Sequence, residues 1–178
     1  MRATTATMLL DEMAAGSIDA VICRAPEFSG PGRTQSLTQS AVFDRIRRGR
    51  RPMVPLSATT RRSLIWTPDA SRAMALIGNT PDAYGRTWHL PIDPHRPSSA
   101  EMIATASEVA GRRIPYTVVP RWTFRVAGLA SPRIREAEEL LPRYRQDNVF
   151  DSSAFAARFP DFPVTGFRDG IAQLLGEE

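Results

Sequence analysis

The side chains that could do chemistry are few and unevenly chosen. All 23 basic residues are arginine, and lysine is absent. These 178 residues therefore exclude Schiff-base catalysis, a phosphate-loop lysine and a Tyr-x-x-x-Lys acid/base pair. His89 and His95 flank Asp93, but Pro91 and Pro94 interrupt the segment, so no helix or strand sets a metal-ligand spacing. They read as satisfied strand-end and loop histidines. Cys23 ends the apolar run Val21-Ile22-Cys23, where a thiol is expected to be inert core. No Gly-x-Ser-x-Gly elbow occurs, and Gly30 and Gly32 lack the third glycine of a dinucleotide-phosphate loop. The run from Arg45 to Arg51 ends an expected helix, so its cations read first as a solvated terminus complementing the helix dipole.

Composition bounds the remaining choices. A chain of 178 residues with 42% hydrophobic and 24% charged residues can bury a core of its own as one domain. No apolar run approaches the roughly 20 residues that span a bilayer, and residues 1–16 do not resemble a signal peptide. A single cysteine allows no intrachain disulfide, which makes the cytoplasm the expected location. The formal charge of +4 invites a nucleic-acid reading, but 19 interspersed carboxylates argue against it. The expected partners include neither nucleic acid nor membrane.

The elements that must position any site alternate between short β-rich runs and helical patterns. Ala6, Leu9, Leu10 and Met13 share a helix face that Gly16 ends. Residues 19–24 suit a buried parallel strand that opens into a Gly/Pro loop over 25–34. A helix is expected over 36–48, and short strands over 53–56 and 63–66. Thr67 reads as the N-cap of a helix with Pro68 at its first position and Ala70, Ala73, Met74 and Ile77 buried. A strand at 86–90, a capping box at Ser98 and Glu101 opening a helix to 110, and a strand at 115–119 follow. Helices are expected over 120–130, 132–143 and 164–175, with a turn near 152–158. Trp66, Trp88 and Trp122 read as core or interface anchors. The class is mixed α/β.

Two segments point to a family. Arg24-Ala-Pro-Glu-Phe-Ser-Gly-Pro-Gly32, after a strand, resembles the RPxxxYGPG element of the extended short-chain dehydrogenase/reductases, the NAD-dependent epimerases and dehydratases. Arg62-Ser-Leu-Ile-Trp-Thr-Pro-Asp69 resembles that family's RDYIHVxD element. YGRTWHLP at 84–91, the helix at 98–110 and the closing stretch 151–175 follow in the family's order, so the resemblance covers nearly the whole chain.

The resemblance implies a truncated Rossmann-like α/β fold: a mostly parallel sheet with a helical C-terminal substrate lobe, forming one unit over 1–178. This is the family's C-terminal half; the Gly-rich loop and catalytic Tyr-x-x-x-Lys belong to the other half. Residues 1–16 would be the helix that continues after that pair. The family cofactor is NAD or NADP, with the backbone of Ala25 and Pro26 near the nicotinamide. Glu27, Phe28 and Arg62 would face substrate, Arg62 gripping a diphosphate as in nucleotide-sugar enzymes. Ser29 stands where the family has an aromatic wall, and Asp69 would organise its helix start. The expected function is the substrate-side half of an NAD(P)-dependent epimerase, dehydratase or reductase acting on a nucleotide-sugar or similar small carbonyl or hydroxyl compound. It would be inactive alone, joined by a separate N-terminal half or a second copy. The alternative is a non-catalytic binding or regulatory module of the same fold.

Overall fold

A computed structural model describes residues 2–32, 34, 36–138 and 140–176. Helix α1 spans Arg2–Ala14, followed by strand β1 (Ile22–Arg24) and strand β2 (Glu27–Ser29). A π-helical turn (Gln39–Phe43) runs into α2 (Asp44–Arg47), then β3 (Met53–Pro55), β4 (Leu64–Trp66) and α3 (Thr67–Gly78). Strand β5 (Thr87–His89), α4 (Ser99–Val109), β6 (Thr117–Val119), α5 (Arg121–Ala130) and α6 (Pro132–Glu138) come next. A 3-10 turn at Leu141–Tyr144, α7 (Ser153–Arg158) and α8 (Phe167–Gly176) complete the order.

The strands pair in parallel, as a buried α/β strand pattern requires, but they form three pairs rather than one sheet. Strand β1 pairs with β5, β2 with β4, and β3 with β6. Proline sets the short lengths. Pro26 separates β1 from β2, Pro55 closes β3, Pro91 lies two residues past β5 and Pro120 follows β6. Each lacks the N–H that a ladder would need.

Two cores lie on either side of the β2–β4 pair. Phe43, Ile46, Val54, Met102, Ile103, Ile171 and Leu174 form one, joining α2, α4 and α8. Ile65, Ala73, Ile77, Trp88, Leu90 and Phe155 form the other. There Phe155 packs on Phe159 and Phe162 with ring centroids 4.9 and 5.2 Å away. Trp88 buries its ring and donates Nε1–H to the Ala83 carbonyl at 2.8 Å.

Several expectations are corrected. The stretch 25–34 is not wholly a loop, because residues 27–29 pair with β4. Thr67 is the first helical residue of α3 rather than its cap, and its hydroxyl donates to the Ser29 carbonyl at 3.0 Å. Met74 is 46% exposed instead of lying on the buried stripe. Of the helix expected over 132–143, residues 141–143 belong to the 3-10 turn instead, and the helix expected from 164 begins at Phe167. Of the two roles expected for Trp122, core or interface anchor, its exposure leaves only the interface.

The capping box forms as read. The Ser98 Oγ accepts the Glu101 N–H at 3.3 Å, and the Glu101 carboxylate accepts the Ser98 N–H at 2.7 Å. Ser98→Ala should lower stability by about 1 kcal/mol without moving the site, read as a shifted urea midpoint at unchanged slope.

Candidate functional site

The residues singled out in the sequence lie at the carboxyl end of β1 and around β2. Ala25 and Pro26 form the half-buried turn between those strands. Glu27 begins β2, opposite Leu64 of β4. Phe28 points outward and is 42% exposed, whereas Ser29 is buried. In parallel sheets, ligands gather beyond the carboxyl ends of strands, so this turn is placed where a site is expected.

Arg62 and Glu27 are 35 residues apart in sequence and in direct contact. Nε and Nη2 of Arg62 donate to one oxygen of Glu27, Oε2, at 3.2 and 2.9 Å. The other oxygen, Oε1, accepts the Ser36 hydroxyl at 2.9 Å, the Thr38 backbone N–H at 2.7 Å and the Tyr144 hydroxyl at 2.9 Å. Arg62 Nη1 donates to the Arg143 carbonyl at 3.0 Å, and the guanidinium carbon sits 3.7 Å from the centre of the Tyr144 ring. With Arg62 only 2% exposed, its fork is committed to Glu27 from inside the fold. A buried charge is stable only with such pairing and bonding.

The electrostatics follow from that packing. Burial pushes the Glu27 carboxyl pKa up. The Arg62 charge and the hydrogen bonds from Thr38, Arg62 and Ser36 outweigh it, so the net pKa lies below the usual glutamate value. For Tyr144, burial and then the Glu27 charge push the hydroxyl well above its ordinary range, so it stays a donor.

The backbone locks this arrangement. Arg62 N–H donates to the Pro97 carbonyl at 3.1 Å, and Arg61 N–H to the Asp147 carboxylate at 2.8 Å. Ser63 N–H reaches the Asn148 carbonyl at 3.1 Å. Segments 61–63, 97–98 and 143–150 thus meet at the cluster. Behind it, the Gln39 Oε1 accepts the Ser29 hydroxyl at 3.2 Å and the Gly30 N–H at 3.3 Å. Sequence reasoning missed Tyr144, Gln39 and Ser36. Only Tyr144 carried a signal, as a tyrosine between two arginines.

Asp69 does not organise the start of its own helix. Its carboxylate accepts the Thr165 N–H at 2.6 Å, the Thr165 hydroxyl at 2.9 Å and Arg72 Nη2 at 2.6 Å. It clasps the segment before α8 instead. The cleft between Ser29, Trp66, Asp69, Asp93, His95 and Phe167 has an accessible volume of about 30 Å³, room for ordered water and far below that of a ligand pocket. It is a packing seam.

His89 donates Nδ1–H to the Asp151 carbonyl at 2.7 Å and stacks on Phe150 with centroids 4.5 Å apart. Cys23 is half-buried, and burial raises its thiol pKa, which disfavours the reactive thiolate. Arg45 donates to the Arg51 carbonyl at 2.7 Å beyond the end of α2, as a solvated helix terminus does.

No family model matches the chain, and no curated protein matches it by sequence. Solved structures do match its fold. The UDP-glucose 4-epimerase of Thermus thermophilus, in complex with NAD, superposes on 97% of the chain with a TM-score of 0.71 at 14% identity. The Bacillus anthracis dTDP-glucose 4,6-dehydratase, also with NAD, covers 95% at a TM-score of 0.67 and 11% identity. RMD from Pseudomonas aeruginosa, complexed with NADPH, covers 95% at 0.66 and 11% identity. The chain spans 50%, 47% and 51% of these proteins, about half the length of each. The fold is therefore a partial epimerase/dehydratase fold of the short-chain dehydrogenase/reductase type, as the sequence resemblance implied. No helix among the described residues is long and apolar enough to cross a membrane.

The solved neighbours named above carry NAD or NADPH. The Ala25–Pro26 turn is half-buried. No glycine-rich loop exists in the sequence to receive a pyrophosphate.

Proposed function

We propose that this chain is the substrate-side half of an NAD(P)-dependent epimerase, dehydratase or reductase acting on a nucleotide-sugar or similar small carbonyl or hydroxyl substrate. The observation that carries this reading is the Ala25–Pro26 turn running into β2, held from behind by the buried Glu27–Arg62–Tyr144 cluster. A turn fixed in this way is preorganised for a ligand. In the proposal Ala25 and Pro26 border the nicotinamide and Phe28 is the side chain open to substrate. Glu27 and Arg62 act as positioning residues that set the height and tilt of the turn. Hydride transfer and proton abstraction need the Gly-rich loop and the Tyr-x-x-x-Lys pair, which another polypeptide segment would have to supply. Alone, the chain binds and does not turn over.

Saturation-transfer NMR tests this with UDP-glucose and NAD as probes. The sugar nucleotide should show transfer that Phe28→Ala weakens about tenfold, with the fold intact because Phe28 is a surface residue. NAD should bind at best weakly. Tight NAD binding by the chain alone would contradict the proposed division of labour. Silence from UDP-glucose and other sugar nucleotides would favour the non-catalytic module.

A further inference from the structure

The hairpin of α5 and α6 presents an apolar stripe that the fold does not use. Leu129 and Trp122 are 82% and 66% exposed, the two most exposed large apolar side chains among the described residues, and Val126 is 60% exposed. At 100° per residue the three stand on one face of α5. That face is turned away from α6. Gly128, on the opposite side, is buried where the helices cross, 3.5 Å from Arg135 Cα to the place a Cβ would occupy. Arg135 Nε and Nη2 donate to the Gly128 carbonyl at 3.3 and 3.2 Å, and Arg121 reaches Glu138 at 3.7 Å. The hairpin is thus stapled to itself while its outer stripe faces solvent.

Charge selects what covers the stripe. Arg121 and Arg125 flank it on one side, and α5 carries no carboxylate. Across 121–145 there are six arginines and three glutamates, a net of +3 (six minus three). Two copies packed stripe to stripe would set these arginines against their own kind, which is unfavourable. An anionic surface would pair with them. Tryptophan and leucine beside arginine on one amphipathic helix suit the boundary between headgroups and acyl chains.

We propose that the α5–α6 hairpin docks this chain on the surface of a bilayer rich in anionic lipid, laying Trp122, Val126 and Leu129 into the interface. The expectation of no membrane partner rested on the lack of a spanning segment, and lying on a surface needs none. The inference is independent of the catalytic reading above.

The test is sedimentation of the chain with phosphatidylcholine vesicles with and without phosphatidylglycerol. Binding is expected only with the anionic lipid, weakening as salt rises, with a blue shift of tryptophan emission that Trp122→Phe abolishes. Leu129→Glu should weaken binding about tenfold or more, and Arg125→Glu should remove the lipid selectivity. Both positions are exposed, and circular dichroism would confirm that the variants fold. Equal binding to neutral and anionic vesicles, or no binding to either, would overturn the proposal. So would a concentration-dependent dimer abolished by Leu129→Glu in the absence of vesicle binding, which would assign the stripe to a second copy.

Discussion

Arg62→Ala should lower the unfolding free energy by about 3–5 kcal/mol, the cost of leaving a buried carboxylate without its charge partner. Glu27 would keep its bonds to Ser36, Thr38 and Tyr144 but lose the cation that pairs with it. The large effect belongs to the broken pair rather than to the pair's net worth. Replacing both charges, Glu27→Gln with Arg62→Met, should therefore recover most of the loss, because the amide oxygen still accepts and the thioether fills the space. Urea unfolding of Glu27→Gln alone, Arg62→Met alone and the double closes the cycle. A double variant as unstable as Arg62→Ala would show that the guanidinium's packing on Tyr144 matters more than charge.

The same pair makes stability depend on pH, with a definite sign. The Glu27 pKa is lower in the folded chain than in the unfolded one. Its contribution is fully present above the ordinary glutamate value and is lost as pH falls through the depressed folded value. Wild-type urea midpoints should drop across that acid range. In the Glu27→Gln, Arg62→Met variant this part of the drop should vanish. An equal acid dependence in both proteins would place the proton uptake elsewhere.

Gly30→Ala is the second large expectation, with a cost of about 2–5 kcal/mol from clash and backbone strain together. Gly30 has φ of 153°, and a Cβ there would run into the Thr67 hydroxyl and lie 3.0 Å from the Thr67 backbone nitrogen. The hydroxyl could turn aside, but the nitrogen belongs to the first turn of α3 and cannot. Thr67→Ala should therefore fail to rescue Gly30→Ala. Gly32→Ala is the control: φ is 80° with nothing within 4 Å, so only strain acts and about 1 kcal/mol is expected. Similar losses at both positions would mean that the close approach of β2 to α3 is softer than its geometry indicates. Because Gly30 follows β2, which the Ala25–Pro26 turn leads into, its variant should also weaken binding of any ligand held at that turn.

The sequence by itself determined the order of the elements, since hydrophobic period and punctuation are local. Pro68 marked the start of α3, Ser98 and Glu101 opened α4, and the apolar run before Arg24 gave β1. It also determined the chemistry the chain lacks, because a missing lysine or glycine loop is missing in any fold. The order of the 24–32 and 62–69 elements was enough to imply the epimerase/dehydratase fold that the three solved structures named above bear out at TM-scores of 0.66 to 0.71.

Only the tertiary structure decided what the site residues do. Nothing local in Arg62 says whether its fork opens to solvent or turns inward. Packing between 61–63 and 143–150 turned it onto Glu27 and brought in Tyr144, 117 residues from Glu27 in sequence. Strand β2 was likewise invisible, because Glu-Phe-Ser has little strand character until β4 supplies its pairing partners. Asp69 looked like a helix-start residue and became a clasp on Thr165, because a carboxylate takes whichever N–H the fold leaves unpaired nearby. Trp122 was read as a core or interface anchor, and nothing local in the sequence says which of the two it is. Whether the chain itself covers the ring depends on contacts between segments far apart in sequence, and here it does not.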